Sequence, residues 1–408
     1  MATPARRRPK VPQPARATRT RRSRRAGPPS TVGALAAAME AVAPARLAEE
    51  WDNVGLLLGS RAAPCSRVLL TTDFTDGVLD EALDLRADAV VAYHPPLFDP
   101  LRRLCADDPR QRLLLEAAQA GVALLSPHTA LDAAKGGVND WLAEGVAGSQ
   151  LEVQRALAYE PLRSAHSLPG GEAFKIVVFV PAAHVDQVRD AMAQAGAGVI
   201  GRYDRCSTAV PVTGTFRGLP GSQPTVGQAG KVERVEEVRV EMVAARERLA
   251  WALEAMRAVH PYETPAFEVH GLAARPSLDE GQGRLIALRA PATAAEIARR
   301  LRKHLGVQRL ELASAEPSAR HQRVAVCAGA GFSLASEAWA RGATLFVTGE
   351  ARHHDQMATM ARGCSLLLAG HTNTERGYLP RLAERMAAGV PGVWFACSRV
   401  DCHPLQDV

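Results

Sequence analysis

The stretch SLLLAGHTNTERGYLP, residues 365–380, places a histidine and a glutamate four residues apart, directly after an apolar run that is typical of a buried strand. Two interpretations are open. Thr372 and Glu375 fit a capping box, in which the Thr side chain caps a helix N-terminus and the Glu side chain reaches back to it. Alternatively, His371 and Glu375 converge on a metal ion. The stretch alone favours the cap, because short motifs often match by chance.

Both ends of the chain alternate between strand-like and helix-like patterns. In the first block, the predicted strands are residues 68–71, 89–93 and 122–125, and the predicted helices are residues 78–85, 111–120 and 137–144. In the last block, the predicted strands are residues 323–327, 345–348, 366–369 and 393–396. Short apolar strands that alternate with helices predict an α/β fold whose sheet is covered on both faces.

The middle of the chain has a different order of elements. Its predicted strands are residues 174–180, 213–216, 232–241 and 266–269, and its predicted helices are residues 185–194 and 246–259. Residues 232–241 alternate apolar and charged side chains, as a half-solvated strand does. This order predicts a ferredoxin-like (PII-like) α+β module, residues 170–272, inserted between two α/β halves of one larger domain, residues 31–165 and 280–408.

The first 30 residues carry the basic character of the chain. They contain ten Lys and Arg and no acidic residue, and because the whole chain has a net charge of +6, residues 31–408 sum to −4. The same 30 residues have almost no large apolar side chains, so we expect a disordered tail. Attraction to nucleic acid is therefore expected only through this tail.

Two further features concern the compartment. The sequence has neither the apolar core of a signal peptide nor an apolar run of membrane length. Its seven cysteines are scattered, with no C-x-x-C pair, which is typical of free thiols in a reducing compartment. We expect a cytoplasmic protein with no membrane segment.

Four polar loops follow predicted strands, at the position where open α/β sheets place their ligand sites. They are YHPPLF from Tyr93, SPHTALDAAKGGVND from Ser126, TGEARHHDQ from Thr348, and GHTNTE from Gly370. Each loop alone is better explained as local structure, such as a helix cap or a solvated histidine. Together, their imidazoles and carboxylates supply the nitrogen and oxygen donors that suit Zn²⁺, Mn²⁺ or Fe²⁺.

These motifs, together with WDNVGLLLG from Trp51, IGRYDRCS from Ile200 and HPYETPAFEV from His260, resemble a known family in their identity and order. The family is the Nif-three-like proteins, also called GTP cyclohydrolase 1 type 2 homologs. The resemblance runs from about Thr31 to about Asp401. It implies a dinuclear metal centre and a toroidal homohexamer.

The resemblance also implies a ligand set. His94, Asp132 and Glu375 would hold one metal ion, and His371 and Glu375 would hold a second, with Glu375 bridging the two ions. In members with two adjacent histidines in the first loop, the first of these serves the second metal ion, whereas this chain has Tyr93 there. A phenol is a poor ligand until it is deprotonated, and its ordinary pKa is about 10. We therefore expect one tight site and a second, weaker site. Thr372 would still cap the helix and so aim Glu375 at the ion.

Other residues have weaker claims. Asp52 and Asn53 would line the same cleft, or form part of a tight turn. His128 and His354 are candidates for proton transfer, although histidines near metal ions more often only orient the ligands. The HPYE stretch from His260 is better explained as structure, or as part of a lid, than as a ligand set.

Three functions fit the sequence. The first is a metal-dependent hydrolase acting on a nucleotide-like or phosphoester substrate. A nucleotide is suggested only by the family's name, since the sequence has no Walker A loop. The second is a non-catalytic metal-binding protein, with a regulatory or metal-delivery role, built as an oligomeric ring. The third is nucleic-acid binding through the basic tail.

Overall fold

The computed structural model describes residues 30–148, 159–167 and 172–404. The predicted disordered tail lies outside the described residues, apart from Ser30. Within them the chain has a mixed α/β fold with three sheets, which confirms the predicted α/β class.

The strands are numbered in chain order and are β1 Gly55–Leu58, β2 Arg67–Thr71, β3 Ala89–Ala92, β4 Ala123–Ser126, β5 Tyr159–Ser167, β6 Phe174–Pro181, β7 Thr208–Arg217, β8 Val232–Ala244, β9 Phe267–Gly271, β10 Arg275–Thr293, β11 Glu311–Ser314, β12 Arg320–Cys327, β13 Leu345–Thr348, β14 Ser365–Leu368 and β15 Trp394–Cys397. The α-helices of the described residues are α1 Val32–Val42, α2 Asp76–Asp84, α3 Pro109–Gln119, α4 His128–Ala133, α5 Val138–Ala147, α6 Val185–Gln194, α7 Leu249–Val259, α8 Ala294–Leu305, α9 Ala335–Ala340, α10 His353–Ala361, α11 Asn373–Arg376 and α12 Leu379–Gly389. Short 3-10 helices cover Ala45–Leu47, Ala182–His184 and Gly331–Leu334.

The first sheet has the strand order β1-β4-β3-β2-β15. Strands β4, β3, β2 and β15 are parallel, and β1 is antiparallel to β4. In β3 and β4 every side chain is buried, as expected for parallel strands covered on both faces. Strand β15 comes from the C-terminal block and pairs with β2 of the first block, so both ends of the chain complete one sheet.

The second sheet has the strand order β11-β14-β13-β12-β10-β5. Strands β12, β13 and β14 are parallel to one another, while β11, β10 and β5 run antiparallel to their neighbours. The long strand β10 was not predicted. It contains Gly281 and Gly283, both at positive φ. The irregular backbone at these glycines interrupts the alternation of apolar and polar residues by which a strand is recognised in a sequence.

The two sheets share one hydrophobic core. Its buried members come from β2, β3 and β4 of the first sheet, from β10, β12 and β13 of the second, and from helices α1, α5 and α12. At its edge lies a buried ion pair, in which the Arg284 guanidinium donates to Asp140 and to the carbonyl oxygens of Gly281, Gly283 and Ala134. Because these partners satisfy the buried charges, the pair joins β10 to α5 without an orphaned donor.

The third sheet belongs to residues 174–271, which we call the four-stranded segment. It has the strand order β7-β8-β6-β9, with every neighbouring pair antiparallel, and helices α6 and α7 pack on one face. The segment has its own buried core, which includes Ile176, Val178, Val188, Met242 and Met256. Its predicted strands and helices are all present, with ends that differ by a few residues.

Two general features complete the fold. All seven cysteines, which lie within the described residues, are free thiols. Within the same residues, no helix has the length and apolar content needed to cross a bilayer.

Candidate metal centre

Loops at the carboxyl ends of parallel strands in both sheets bring the candidate ligands together. His94 follows β3 of the first sheet, whereas His371 and Glu375 follow β14 of the second. Glu375 lies in the short helix α11 and its side chain is buried. The site therefore depends on the two sheets packing together, and neither sheet alone contains it.

His94, His371 and Glu375 form a group whose ligand atoms all lie within 4.8 Å of one another. His94 Nε2 lies 3.3 Å from Glu375 Oε2, and His371 Nε2 lies 3.4 Å from Glu375 Oε1. Each carboxylate oxygen thus faces one imidazole nitrogen, and the glutamate stands between the two rings.

Each imidazole also contacts a second carboxylate through its Nδ1 atom. Asp73 Oδ1 lies 2.9 Å from His94 Nδ1, and Glu350 Oε1 lies 3.0 Å from His371 Nδ1. When the carboxylates accept these hydrogen bonds, the Nδ1 atoms carry the protons and the Nε2 lone pairs are left for another partner. Histidines that ligate metal ions are oriented in the same way, by a carboxylate on the other ring nitrogen.

Gly329, in the loop after β12, leaves room at the centre. Its φ is 61°, a conformation that favours glycine, and a Cβ at this position would lie 2.7 Å from Glu375 Oε1 and 3.1 Å from His371 Nε2. Its backbone N–H donates to Thr374 Oγ1, which fixes the loop against helix α11. A side chain here would fill the space between the candidate ligands.

These residues fit a divalent cation. Among the described residues, the buried atoms His94 Nε2 and Glu375 Oε2 have no partner except each other, at 3.3 Å, in a geometry that makes no regular hydrogen bond. Burial disfavours the charged form of His94, but the carboxylates of Asp73 and Glu375 outweigh burial and raise the pKa of His94 to about 10. A proton and a metal ion would compete for the same nitrogen.

Asp132 lies beside this group but outside it. Its carboxylate accepts a hydrogen bond from the Tyr93 hydroxyl, and its backbone carbonyl accepts one from the Asn139 side chain at 3.0 Å. Burial raises the pKa of Asp132 to about 6, with the Tyr93 bond opposing the shift. Burial, followed by the charges of Asp132 and Glu375, raises the pKa of Tyr93 well above its ordinary value. Tyr93 is therefore a neutral phenol that holds Asp132, and its part as a ligand is disfavoured.

The predicted cap on helix α11 is wrong. Thr372 has helical backbone angles and accepts no hydrogen bond from the helix N-terminus, and its buried hydroxyl has no partner among the described residues. Helix α11 has only four residues, and Thr374 instead donates to the carbonyl oxygen of His371 at 2.6 Å. Glu375 is thus aimed by the turn itself and does not reach back to a cap.

His128 and His354 lie in different surroundings. His128 has a φ of 29°, unusual for a residue other than glycine, and its Nδ1 lies 2.7 Å from the buried carboxylate of Asp52. Its ring lies 5.6 Å from that of His94 between centroids, so it borders the centre. His354 is exposed in the first turn of α10, where its ring contacts that of His353.

Asp52 and Asn53, the other weak candidates, support the loops around the centre. Burial raises the pKa of Asp52, but hydrogen bonds from His128 and Thr129 outweigh burial and lower the pKa below its usual value. The Asn53 side chain donates to the carbonyl oxygen of Leu97 at 2.6 Å.

A cleft of about 780 Å³ opens beside His94. Its walls include Asp73, Phe98 and Arg110, together with residues near the C-terminus such as Asp401. Trp51 is largely exposed next to Phe98, with ring centroids 6.0 Å apart. Planar aromatic surface and one guanidinium are therefore available next to the candidate ligands.

The sequence interpretation missed Asp73, Glu350 and Gly329. Glu350 lies inside the quoted loop TGEARHHDQ, in which the two histidines are the stronger signal for a metal ligand. Asp73 comes two residues after β2, so the rule that sites lie at the carboxyl ends of parallel strands applies to it too. Gly329, in CAGAG, shows only a small-residue loop in the sequence, because its role depends on side chains from another loop.

Comparisons with known proteins agree over most of the chain. A family model described as Duf34/NIF3 (NGG1p interacting factor 3) matches residues 30–404. The protein named GTP cyclohydrolase 1 type 2 homolog in Halalkalibacterium halodurans is 35% identical over 338 residues, 82% of this chain and 86% of that protein. The protein of the same name in Mycobacterium leprae is 38% identical over 76% of this chain and 78% of its own length. NIF3-like protein 1 of Mus musculus is 30% identical over 92% of both chains.

Solved structures show the same fold. A Bacillus cereus protein related to NIF3 superposes with a TM-score of 0.65 at 30% identity, over 94% of this chain and all of that one. A Staphylococcus aureus protein superposes with a TM-score of 0.75 at 22% identity, over the same share of each chain.

Proposed function

Since the chain belongs to the Duf34/NIF3 family, whose relatives include the GTP cyclohydrolase 1 type 2 homologs, we propose that it is a divalent-metal-binding protein that acts as a metal-dependent hydrolase. The observation that carries the metal-binding part is the buried pair His94 Nε2 and Glu375 Oε2, which lie 3.3 Å apart and make no regular hydrogen bond with any described residue. A bound cation would give both atoms a partner.

We assign His94, His371 and Glu375 as the ligands at the core of the site, with Asp132 as a further carboxylate. This set of imidazole nitrogens and carboxylate oxygens suits Zn²⁺, Mn²⁺ or Fe²⁺. One tight site is our proposal, and it is supported by Tyr93, whose hydroxyl donates to Asp132 and so offers no deprotonated oxygen to an ion. A second ion, bridged by Glu375 and held by His371, would bind more weakly.

The hydrolase part rests on the surroundings of these ligands. A bound divalent cation supplies Lewis acidity in such a site. Phe98, with Trp51 beside it, offers a surface on which a planar ring would stack, and Arg110 offers a guanidinium for a phosphate group. This combination supports a nucleotide-like or phosphoester substrate. His128, whose Nδ1 is engaged by Asp52, would keep its second ring nitrogen for a hydrogen bond to substrate.

We also infer that the four-stranded segment is a ferredoxin-like module inserted between the two α/β halves. The order β6-α6-β7-β8-α7-β9, with β6 and β8 at the centre of an antiparallel sheet, supports this interpretation. A homohexameric assembly, a cytoplasmic location and binding of nucleic acid through the N-terminal tail belong to the same proposal, on the family resemblance and composition alone.

The test is metal analysis followed by a turnover screen. Purified full-length protein is stripped with a chelator, reloaded separately with Zn²⁺, Mn²⁺ and Fe²⁺, and assayed for release of product from nucleotides and phosphoesters. We expect reversible loading, and turnover that a Glu375→Gln variant lacks. Reversible loading with no turnover would favour the non-catalytic, metal-delivery alternative, and failure to load any ion would overturn both functions. Removing residues 1–30 should leave loading unchanged.

A further inference from the structure

A cavity of about 400 Å³ lies in the four-stranded segment, separate from the candidate metal centre. Two loops border it, the HPYET stretch that begins at His260 and the loop between β7 and β8. The second loop is tied to the first, since Thr225 Oγ1 donates to the carbonyl oxygen of Pro261 at 2.8 Å and the Gln223 N–H donates to Glu263 at 3.0 Å. The HPYE stretch thus shapes a cavity wall.

The cavity opens on the face of the sheet that carries no helix. Along β6 and β8, Val178 and Val240 point into the core beneath α6 and α7. Side chains alternate along a strand, so Phe179 and Glu237 point to the opposite face. Both line the cavity, together with Phe216 of β7.

Tyr262 brings a phenol hydroxyl to this cavity. Its backbone N–H donates to His260 Nδ1 at 3.1 Å, and His260 Nε2 in turn donates to the carbonyl oxygen of Phe179 at 2.9 Å. The position of Tyr262 is therefore fixed by its own loop. Its Oη atom is shielded from solvent and lies beside the Glu237 carboxylate. The O–H faces Glu237, and a lone pair of the oxygen is left to accept a hydrogen bond from a ligand.

Glu237 brings a carboxylate that a glycine makes room for. A Cβ at Gly214, on the neighbouring strand β7, would lie 2.2 Å from Glu237 Oε2. The carboxylate therefore lies directly over Gly214, in a space that an alanine would close. Burial, followed by a hydrogen bond with the Glu237 carboxylate, raises the pKa of Tyr262 to about 12, so Tyr262 stays a neutral phenol.

The charged side chains that line the cavity are both acidic. Glu237 and Glu263 both line it, and among the described residues no lysine or arginine does. Phosphates and carboxylates are therefore poorly matched to it. Two carboxylates beside the aromatic rings of Phe179 and Phe216 suit a cation, which gains both charge-assisted hydrogen bonds and contact with the ring faces.

We propose that this cavity is a second ligand site, which binds a small organic cation carrying a primary ammonium group on an apolar body. The ammonium donates to Glu237 and to Tyr262 Oη, and the apolar body packs on Phe179 and Phe216. The site is independent of the proposed hydrolase activity, because it shares no residue with the metal centre.

Calorimetry on the full-length protein tests this with three probes of one shape: 2-phenylethylammonium, 2-phenylethanol and 3-phenylpropionate. We expect the ammonium to bind about tenfold or more tightly than the alcohol, and the carboxylate not to bind. Glu237→Gln should weaken ammonium binding by about tenfold, and Tyr262→Phe by a few-fold. The matched control is Glu236→Gln, which removes the same charge from an exposed neighbour on the same strand and should change binding less than twofold.

Four results would overturn the proposal. One is that 2-phenylethylammonium gives no binding at millimolar concentration. A second is that all three probes bind equally well. A third is that Glu237→Gln binds the ammonium as the parent protein does. The fourth comes from sedimentation: if Glu237→Gln changes the mass of the assembly while the ammonium does not bind, the cavity is an interface between copies of this chain.

Discussion

The candidate metal centre and the four-stranded segment are built in opposite ways. The centre joins His94 of one sheet to His371 and Glu375 of another, so its geometry exists only when the two sheets share their core. The segment folds residues that are close in sequence around a core of their own. The metal centre therefore forms only when the whole α/β domain is correctly packed, whereas the cavity forms when the four-stranded segment alone is folded.

The two regions also differ in how they hold negative charge. In the centre, the buried carboxylate of Glu375 stands between two imidazoles, each of which also contacts an outer carboxylate. In the segment, the partly buried Glu237 and the exposed Glu263 have no basic partner among the described residues that line their cavity. We propose a cation at both places: the nitrogen donors of the centre suit a metal ion, and the aromatic walls of the cavity suit an organic cation.

The largest effect is expected from Glu375→Gln. The amide cannot supply the negative charge that both imidazoles face, so affinity for Zn²⁺ or Mn²⁺ should fall at least about 100-fold, beyond the 10–100-fold cost of losing an outer partner. Competition with a chelating dye measures this. Asp132→Asn should weaken the binding of one metal ion and leave the binding of the other unchanged. Full metal content in folded Glu375→Gln protein would show that the assignment is wrong.

The next largest losses of metal affinity are expected from changes to the carboxylates that contact the histidines, Asp73 and Glu350. Asp73→Asn and Glu350→Gln each remove the group that orients a histidine, and each should weaken metal binding by about 10–100-fold. Asp73 should matter more, because the His94 side chain is 22% exposed and that of His371 is 34% exposed, and screening by water is weaker at His94. Asp99→Asn, which removes a charge from the cleft without touching either histidine, is the control for charge alone. If all three variants lost the same affinity for the metal ion, the removed charge alone would explain the losses.

A smaller effect is expected from Tyr93→His, which replaces a neutral phenol by an imidazole next to Asp132. The second ion should then bind about tenfold more tightly, since the new nitrogen adds a ligand. Tyr93→Phe is the control, because it removes the hydrogen bond to Asp132 without adding a donor. Isothermal titration gives the stoichiometry of each variant. Two equally tight ions in the parent protein would refute the premise.

Asp52 contributes to stability in a pH-dependent way, by about 1.5–3 kcal/mol, the usual size for hydrogen bonds to a charged group. Because its pKa in the folded protein is lower than the ordinary value of 3.8, this contribution is complete above that value and is lost as the pH falls through the folded pKa. Asp52→Asn should therefore lower the midpoint of urea unfolding at pH 7. The difference between the midpoints of the variant and the parent protein should become smaller near pH 3. Asp80→Asn, at an exposed position, should do neither.

The sequence predicts some parts of this molecule better than others, for physical reasons. Strands such as β13 and helices such as α6 are predicted to the residue, because buried apolar runs and helical spacing are local signals. The candidate ligands were named from the family resemblance, which the order of several separated motifs carries, and their binding of an ion stays a prediction. The cap at Thr372 failed because the tertiary structure shortens helix α11 to four residues. Gly329 and Glu237 gain their meaning only from strand register and from side chains on other elements, which no local pattern encodes.

The smallest effect on the metal centre is expected from removing the four-stranded segment altogether. Ser167 of β5 and Arg275 of β10 are paired in an antiparallel ladder, so the chain leaves and re-enters the α/β domain at neighbouring points. An Asn-Gly turn in place of residues 168–274 should close this gap as a tight hairpin. All four assigned ligands remain, and metal affinity should stay within about twofold of the parent value.

This deletion separates the two regions most sharply. The shortened protein should lose the binding of 2-phenylethylammonium while it keeps the metal ion, and adding Glu375→Gln to it should then remove the metal ion as well. If the segment acts as a lid, the metal ion should also exchange faster with a chelator. A deletion protein that is folded by circular dichroism but cannot be loaded with metal would show that the segment supplies ligands, with His260 or Glu263 the first to examine. Independence of the two regions would then be refuted, because the centre would need residues that the packing of the two sheets does not provide.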